Sequence, residues 1–258
     1  MNIGVFDSGL GGLTILKALL KELPQYNYVY LGDNARVPYG NRSPETIYQF
    51  TKEAVEFLFK KNCQLIIIAC NTSTATSLHK IQQEYLLKFF PDKKVLGVIK
   101  PVVEEIKERG DRTIGVIGTK ATINSEAFVR EIKKVLPNTK VFQQACPLLV
   151  PYIEDSGRNK KILTLILEEY LKELKEKNID SLLLACTHYE IIKEEIKNIV
   201  GTKVKVISEG KIVAKKLKNY LLRHPEIENK LEKKSQVSYF FTDENQDNKK
   251  LINLFLNA

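Results

Sequence analysis

The chain lacks the residue clusters that would indicate a structural metal site. Its 258 residues include only three histidines and four cysteines, and no two cysteines form a Cys-x-x-Cys pair. A zinc site needs clustered thiolates or imidazoles. We therefore expect no metal site.

Long apolar runs are also absent. No stretch approaches the roughly 20 apolar residues of a membrane-spanning helix. The opening MNIGVFDSG has no basic segment followed by a long apolar one, which a signal peptide would need. We therefore expect no contact with a membrane and a cytoplasmic location, where cysteines remain free thiols.

The excess of positive charge is not gathered into a basic stripe. There are 40 Lys and Arg residues against 31 Asp and Glu, which gives a formal charge of +9. A nucleic-acid surface is one interpretation of that excess. However, lysines alternate with glutamates, as in EEYLKELKEKN and IIKEEIKN. This pattern favours a solvated exterior and no nucleic-acid partner.

What the sequence does have is a regular alternation of short apolar runs with amphipathic segments. The run LIIIA at 65–69 is apolar throughout, as is typical of a parallel strand covered by helices on both faces. Such alternation predicts a doubly wound α/β architecture. The predicted strands are 3–6, 28–31, 65–69, 95–98, 113–118, 140–144, 181–185, 203–207 and 236–241. The predicted helices lie near 11–22, 44–60, 73–89, 101–109, 125–136, 159–177, 189–199, 210–222 and 247–256.

Two landmarks occur twice in the same order. IGVFDSG begins at Ile3 and IGVIGTK at Ile114, an offset of 111 residues, while an apolar run ends in Ala-Cys at Cys70 and again at Cys186, an offset of 116. This repetition predicts two similar α/β lobes with the active site in the cleft between them. We expect residues 1–98 together with 208–258 to form the first lobe, and residues 99–207 to form the second.

Polar corners follow several of the predicted strands. In DSGLGG, residues 7–12, the glycines permit close backbone approach and the next helix offers free N–H groups to an anion. The glycine spacing of a dinucleotide loop is absent, so we discount that interpretation. In GDNARVPYG, residues 32–40, Tyr39 and Gly40 could present backbone N–H groups to a ligand.

Two of the four cysteines stand in matching corners, each followed by polar groups that could hold a carboxylate. A cysteine at a helix N-terminus has a lowered pKa, so we expect both of these thiols to tend toward thiolate. A packing role is the commoner fate of a single cysteine, and we assign it to Cys63 and Cys146, which have no such corner. The two corners are Cys70-Asn71-Thr72 and Cys186-Thr187-His188.

Two thiols that face each other across a cleft can invert a stereocentre. One thiolate would remove a proton from a carbon, and the opposite thiol would deliver a proton to the other face. The negative charge on that carbon would need aimed hydrogen-bond donors. His188, Asp7 and Glu154 could be proton partners near the thiols, or they could be a structural histidine and ordinary caps or solvated acids.

Five motifs in this order together resemble glutamate racemase: GVFDSGLGGLT, LGDNARVPYG, CNTSTA, CPLLVPYIE and ACTHY. The resemblance implies a two-lobed fold and cofactor-independent interconversion of L- and D-glutamate, with the D-isomer used for bacterial cell-wall peptidoglycan. It also implies a homodimer, since the family is often dimeric.

By position, the resemblance implies that Cys70 removes the α-proton of D-glutamate and that Cys186 removes that of L-glutamate. Asp7, Glu154 and His188 match the family's acid–base helpers around the thiols. The implied substrate contacts are Asp7, Ser8, Tyr39, Gly40, Asn71, Thr72, Thr187 and His188.

The sequence departs from the family pattern in two places. CNTSTA has Ser-Thr where Ala-Ser is frequent, and Ser208-Glu209 stands where Asp-Ser is common. We therefore leave the Ser208-Glu209 corner out of the predicted site. The nearest alternative function is an aspartate racemase with the same two thiols and a shorter pocket. From other classes, the alternatives are a non-catalytic basic binding protein and a two-lobed sugar- or amino-acid-binding protein. The latter class is normally exported, and we expect no signal peptide here.

Overall fold

The structure, a computed structural model, describes residues 1–155 and 159–243 together with Ile252 and Phe255. Its strands are β1 (Asn2–Asp7), β2 (Tyr28–Gly32), β3 (Cys63–Ile68), β4 (Lys94–Gly97), β5 (Thr113–Gly118), β6 (Lys140–Ala145), β7 (Ser181–Ala185), β8 (Lys205–Ile207) and β9 (Val237–Phe241). Every predicted strand is therefore present, with its ends shifted by at most two residues.

Helices alternate with the strands along the chain. They are α1 (Leu13–Glu22), α2 (Pro44–Lys60), α3 (Asn71–Lys80), α4 (Leu87–Phe89), α5 (Ile99–Arg109), α6 (Lys120–Asn124), α7 (Ala127–Val135), α8 (Leu149–Glu154), α9 (Lys160–Glu176), α10 (Lys193–Val200), α11 (Gly210–Arg223) and α12 (Pro225–Glu228). A π-helical segment, Ile81–Leu86, joins α3 to α4, and 3-10 turns span Tyr39–Asn41 and Thr187–Glu190.

The strands form two parallel sheets whose orders match. The first sheet has the order β4-β3-β1-β2-β9, and the second has the order β6-β5-β7-β8. Read from its other edge, the second sheet runs β8-β7-β5-β6, which repeats the β4-β3-β1-β2 order of the first. The repeated segments at Ile3 and Ile114 lie on the equivalent central strands β1 and β5. The prediction of two similar α/β lobes is confirmed.

The exact division of the chain between the lobes remains our proposal. We keep the boundaries at 98/99 and 207/208. They are supported by the sheets, because β1 to β4 and β9 share the first sheet, whereas β5 to β8 share the second.

Helix α2 illustrates why local signals predicted most elements. The Ser43 hydroxyl accepts a hydrogen bond from the Thr46 amide at 3.3 Å, and Pro44 occupies the first helical position. Both features favour a helix start. Ile47 and Leu58 then face the core on one side of the helix. The predicted bounds of 44–60 are those observed.

Some helical predictions were incomplete. The predicted 125–136 helix is preceded by a separate helix, α6, which Thr119 caps by accepting from the Thr122 amide at 3.2 Å. The 189–199 prediction becomes a 3-10 turn followed by α10. Helix α8 was not predicted; it contains Pro151 in its first turn, where proline is tolerated. Helix α12 was also missed, and the predicted 247–256 helix lies outside the described residues apart from Ile252 and Phe255.

In the part of the chain that the structure describes, no helix is both long enough and apolar enough to cross a membrane.

Candidate active site

The carboxyl ends of two equivalent pairs of strands, β1 with β5 and β3 with β7, bring the polar corners together. Asp7 ends β1, Cys70 follows β3, Thr119 follows β5 and Cys186 follows β7. Parallel α/β sheets bind ligands at this edge. Residues from both lobes line one small pocket of about 20 Å³ there. Asp7 and Glu154 do not line this pocket but contact two residues that do, Thr187 and His188. The other predicted site residues all line it: Ser8, Tyr39, Gly40, Cys70, Asn71, Thr72, Cys186, Thr187 and His188.

Cys70 is held at the start of a helix. It is 4% exposed and caps α3, where its sulfur accepts a hydrogen bond from the Ser73 amide at 3.4 Å. Its thiol donates to the Ser8 hydroxyl at 3.2 Å. The first lobe therefore surrounds this thiol with a hydroxyl and a backbone amide.

Cys186 has a different set of partners. It is 8% exposed, and its sulfur lies 4.0 Å from His188 Nδ1. The other ring nitrogen of His188 lies 2.9 Å from Glu154 Oε1, at the end of α8. Thiol, imidazole and carboxylate thus form a chain of groups along which a proton could move.

Asp7 joins the two lobes beneath the pocket. It is fully buried, its Oδ2 accepts from the Gly9 amide at 3.0 Å, and its Oδ1 accepts from the Thr187 hydroxyl at 3.3 Å. Burial raises the pKa of Asp7, while positive charge on His188 and these hydrogen bonds oppose the rise.

The expectation that the pKa values of both thiols are lowered is wrong. Burial raises the pKa of Cys70, and the nearby charge of Asp7 adds to the effect. Burial raises the pKa of Cys186 well above its ordinary value. Desolvation outweighs the hydrogen bonds at the helix start, because water stabilises a thiolate more than a few amides do. Both cysteines therefore rest as thiols.

Two glycines allow the lobes to approach this closely. A Cβ on Gly11 would lie 2.4 Å from the Thr187 hydroxyl oxygen, and a Cβ on Gly40 would lie 2.4 Å from the Thr119 Cβ. Neither position has space for a side chain without displacing the opposite lobe. Gly11 of the DSGLGG corner and Gly40 thus serve contact between the lobes.

The loop that carries Tyr39 and Gly40 is anchored by an ion pair. Arg36 Nε lies 2.6 Å from Asp33 Oδ2, and the Tyr39 hydroxyl donates to the same oxygen. The Val37–Pro38 peptide is cis. These contacts hold Tyr39 and Gly40 at the wall of the pocket.

Comparison with known proteins agrees with this geometry. A family model described as Asp/Glu/Hydantoin racemase matches residues 7–217, which include both cysteine corners. The chain belongs to the Asp/Glu/Hydantoin racemase family. It is an amino-acid racemase.

Several glutamate racemases are similar to this racemase along nearly their whole length. Glutamate racemase of Aquifex aeolicus is 42% identical over 257 residues, which are 99% of this chain and 94% of the relative. The crystal structure of glutamate racemase from Francisella tularensis in complex with D-glutamate has a TM-score of 0.89 at 37% identity, covering 100% of this chain and 94% of that one. Glutamate racemase from Aquifex pyrophilus has a TM-score of 0.81 at 38% identity, covering 100% and 96%.

Sequence reasoning missed Thr119 in this racemase. Its hydroxyl lies 2.9 Å from the Thr72 hydroxyl and 3.0 Å from that of Thr122, and Thr119 lines the pocket. The sequence did contain a signal for this residue: with the offset of 111 residues between the repeated segments, Thr119 is the repeat equivalent of Ser8.

Sequence reasoning also left Glu209 out of the site, because it departs from the family pattern. The structure brings it to Asn71: Glu209 Oε2 accepts a hydrogen bond from Asn71 Nδ2 at 2.7 Å. Glu209 is 4% exposed, and burial raises its pKa to about 8. The buried carboxyl group of Glu209 therefore contacts a residue that lines the racemase pocket.

Proposed function

We propose that this racemase interconverts L- and D-glutamate without a cofactor, with Cys70 and Cys186 as bases on opposite faces of the α-carbon. The observation that carries the proposal is that two thiols from equivalent corners of the two lobes line a single pocket. The substrate assignment is supported by full-length relatives that are named glutamate racemase.

Conversion of L- to D-glutamate would begin with the thiolate of Cys186. It removes the α-proton: the Cα–H bond breaks, an S–H bond forms, and the electron pair left on Cα delocalises into the α-carboxylate. The Cys70 thiol then donates its proton to the opposite face and becomes a thiolate. The reverse reaction exchanges the roles. No atoms or electrons are gained or lost overall, so the chemistry needs only acid–base groups.

Each thiolate would form with help from its own neighbours. His188, supported by Glu154, can accept the proton of Cys186. Ser8 contacts Cys70, and Asp7 lies close enough for its charge to act on both Cys70 and Cys186. Because burial disfavours both thiolates, we infer that a thiolate forms when the substrate ammonium group supplies a nearby positive charge.

The pocket walls offer donors for both ends of a dicarboxylate. Asn71, Thr72 and Thr187 can hold the α-carboxylate, and Ser8, Tyr39 and Gly40 can hold the side-chain carboxylate. A volume of about 20 Å³ holds roughly one water molecule, whereas glutamate has ten non-hydrogen atoms. We infer that the lobes separate to admit the substrate and close around it.

The direct test is circular dichroism or polarimetry of L-glutamate with the purified protein and no added cofactor. We expect the optical signal to fall to zero, and we expect D-glutamate to approach the same end point. L-Aspartate assayed in parallel should turn over far more slowly. Faster turnover of aspartate would reverse the substrate assignment, and no turnover of either would contradict the proposal.

Deuterated water tests the two-base mechanism. A proton delivered by a second thiol that has exchanged with solvent should label the product at Cα, while the remaining substrate stays unlabelled at first. Mass spectrometry of the separated enantiomers measures both pools. Equal early labelling of both pools would indicate one shared base instead.

We further propose that the D-glutamate serves peptidoglycan synthesis. The expected cytoplasmic location and homodimer remain predictions. Light scattering during size-exclusion chromatography measures the mass of the assembly, and a mass of one chain would contradict the homodimer.

A further inference from the structure

Glu209 is a buried acid that the two-thiol mechanism does not use. It precedes α11, and its Oε2 accepts from Asn71 Nδ2 at 2.7 Å. Its Oε1 has no hydrogen-bond partner among the residues that the structure describes, and neither has Asn71 Oδ1. The contact occupies one N–H of the Asn71 amide. The other N–H and the carbonyl oxygen remain available to a ligand in the pocket.

The charged groups near Glu209 carry both signs: two acids act directly on it, while the cavity that it lines also holds Glu22 and the basic residues Lys17, Lys21, Lys193, Lys211 and Lys215. Asp7 at the end of β1 and Glu190 in the turn after β7 both repel negative charge on Glu209, and such charge in turn disfavours the thiolate of Cys186. Glu190 pairs with Lys193 at 3.1 Å, and Lys193 also donates to the Ser208 hydroxyl at 2.7 Å. The positive charge of Lys193 is thus shared with groups other than Glu209.

The proposed reaction would add more negative charge here. Glutamate brings two carboxylates, and catalysis needs a thiolate. A further buried carboxylate beside Asn71 would repel all three charges at short range. A neutral carboxyl group can keep its acceptor bond to the Asn71 amide without that repulsion.

We propose that Glu209 is a positioning residue that acts in its neutral form: it holds the Asn71 amide toward the substrate, and its ionisation at high pH weakens substrate binding and disfavours the thiolate of Cys186. The proposal rests on the glutamate racemase function proposed above.

A route for the proton is present. Glu209 lines a second cavity, of about 820 Å³, which is bounded by α1 and α11 and which Cys186 and Thr187 share with the small pocket. Burial raises the pKa of Glu209 to about 8, with the charges of Glu190 and Asp7 adding to the rise and the Asn71 bond opposing it. Glu209 is therefore mostly neutral at pH 7 and ionises as the pH rises through about 8.

Steady-state kinetics of Glu209→Ala and Glu209→Gln between pH 6 and 10 test the positioning role. We expect Glu209→Ala to raise KM about tenfold at pH 7, because the Asn71 amide loses its anchor. Glu209→Gln keeps an acceptor for that amide, so it should restore KM toward the wild-type value. It should also move the basic limb of kcat/KM upward by at least one pH unit.

The matched control is Glu22→Gln, which removes another acid at the same cavity. Glu22 is exposed and pairs with Lys218 at 2.9 Å. In the Glu22→Gln variant, the basic limb of the kcat/KM profile should stay at the wild-type pH. The substrate ammonium titrates alike in every assay, so it cannot account for a difference between variants. A Glu209→Gln enzyme with the wild-type basic limb, or a Glu209→Ala enzyme with the wild-type KM, would overturn the proposal.

The pH dependence of the melting temperature, Tm, reports the ionisation of Glu209 independently of enzymatic activity. The folded protein holds the Glu209 proton up to a pKa of about 8, whereas the unfolded chain releases it near its ordinary value of about 4.3. The stabilisation is therefore full below the unfolded value and lost as the pH rises through the folded one. Between pH 5 and 9, Tm should fall by several degrees more for the wild type and Glu22→Gln than for Glu209→Gln.

The two proposals can fail separately. Parallel Tm curves for the wild type and Glu209→Gln would overturn the role of Glu209 even if the enzyme racemises glutamate. A clear difference between these curves in a protein that does not act on glutamate would leave the Glu209 ionisation in place and remove the proposed function.

Discussion

The two cysteine corners occupy equivalent places in equivalent lobes, yet their surroundings differ. Cys70 caps a ten-residue helix and contacts a hydroxyl and a backbone amide. Cys186 begins a four-residue 3-10 turn and lies beside an imidazole that contacts a carboxylate. Equivalent backbones have thus been given different acid–base partners.

This difference fits the demands of a chiral substrate. The two faces of an α-carbon are not equivalent once the two carboxylates are fixed, so the two proton transfers take place in different environments. We infer that the repeated fold supplies two opposed thiols, and that the polar residues around each thiol were adapted separately.

The largest expected effect comes from removing either thiol. Cys70→Ala and Cys186→Ala should each lower kcat in both directions by about 10³-fold or more, since one face of the carbon then has no acid–base group. Circular dichroism with each enantiomer measures the loss. Cys63→Ala is the control, because Cys63 is buried in the core away from the pocket and its variant should keep kcat. Appreciable racemisation by either active-site variant would contradict the two-base mechanism.

Removing one helper from each corner should separate their roles. Glu154→Gln and Ser8→Ala should each lower kcat/KM by roughly tenfold. Because enantiomers have equal free energy, kcat/KM must fall equally in the two directions. The asymmetry should instead appear in the primary isotope effect with α-deuterated substrate.

The isotope effect should grow for L-glutamate in Glu154→Gln, which slows transfer to Cys186. It should grow for D-glutamate in Ser8→Ala, which slows transfer to Cys70. Competitive assays by mass spectrometry measure both values. The same pattern in both variants would mean that the two helpers do not serve separate thiols.

Gly11→Ala should disturb the Cys186 corner, because the added Cβ would press on Thr187 and His188. We expect a loss of about 1 to 3 kcal/mol in the free energy of unfolding and a fall of several-fold in kcat. Denaturant titration and the racemisation assay measure the two effects. Gly110→Ala is the control: Gly110 has φ +70° and open space around it, so its variant should lose stability but not kcat. A Gly11→Ala enzyme with the wild-type kcat would show that this contact does not position the corner.

The smallest expected effect concerns thiol reactivity in the free enzyme. Burial raises the pKa of both active-site thiols, so alkylation by iodoacetamide should still accelerate between pH 8 and 9. Glutamate should protect both cysteines. Peptide mass spectrometry gives the rate at each site. A rate at either site that levels off below pH 8 would indicate a thiolate already formed in the free enzyme.

Local sequence patterns determined the fold class and the two thiol corners. Ser43 and Pro44 specify the start of α2, and fully apolar runs specify the buried parallel strands β3 and β7. Such signals depend on neighbours in the chain, so they can be read from sequence. The repeated segments at Ile3 and Ile114 likewise predicted two similar lobes, and the matching strand orders confirm them.

Only the tertiary structure decided the protonation states of the active-site thiols and the complete set of residues that surround them. The pKa values of Cys70 and Cys186 depend on burial, which sequence neighbours do not reveal, so the expected thiolates were wrong. Glu209 meets Asn71 across 138 residues of chain. The sequence by itself determined which residues could carry out the chemistry, and the packing of the two lobes decided their protonation and their partners, because solvation and long-range contacts exist only in the folded chain.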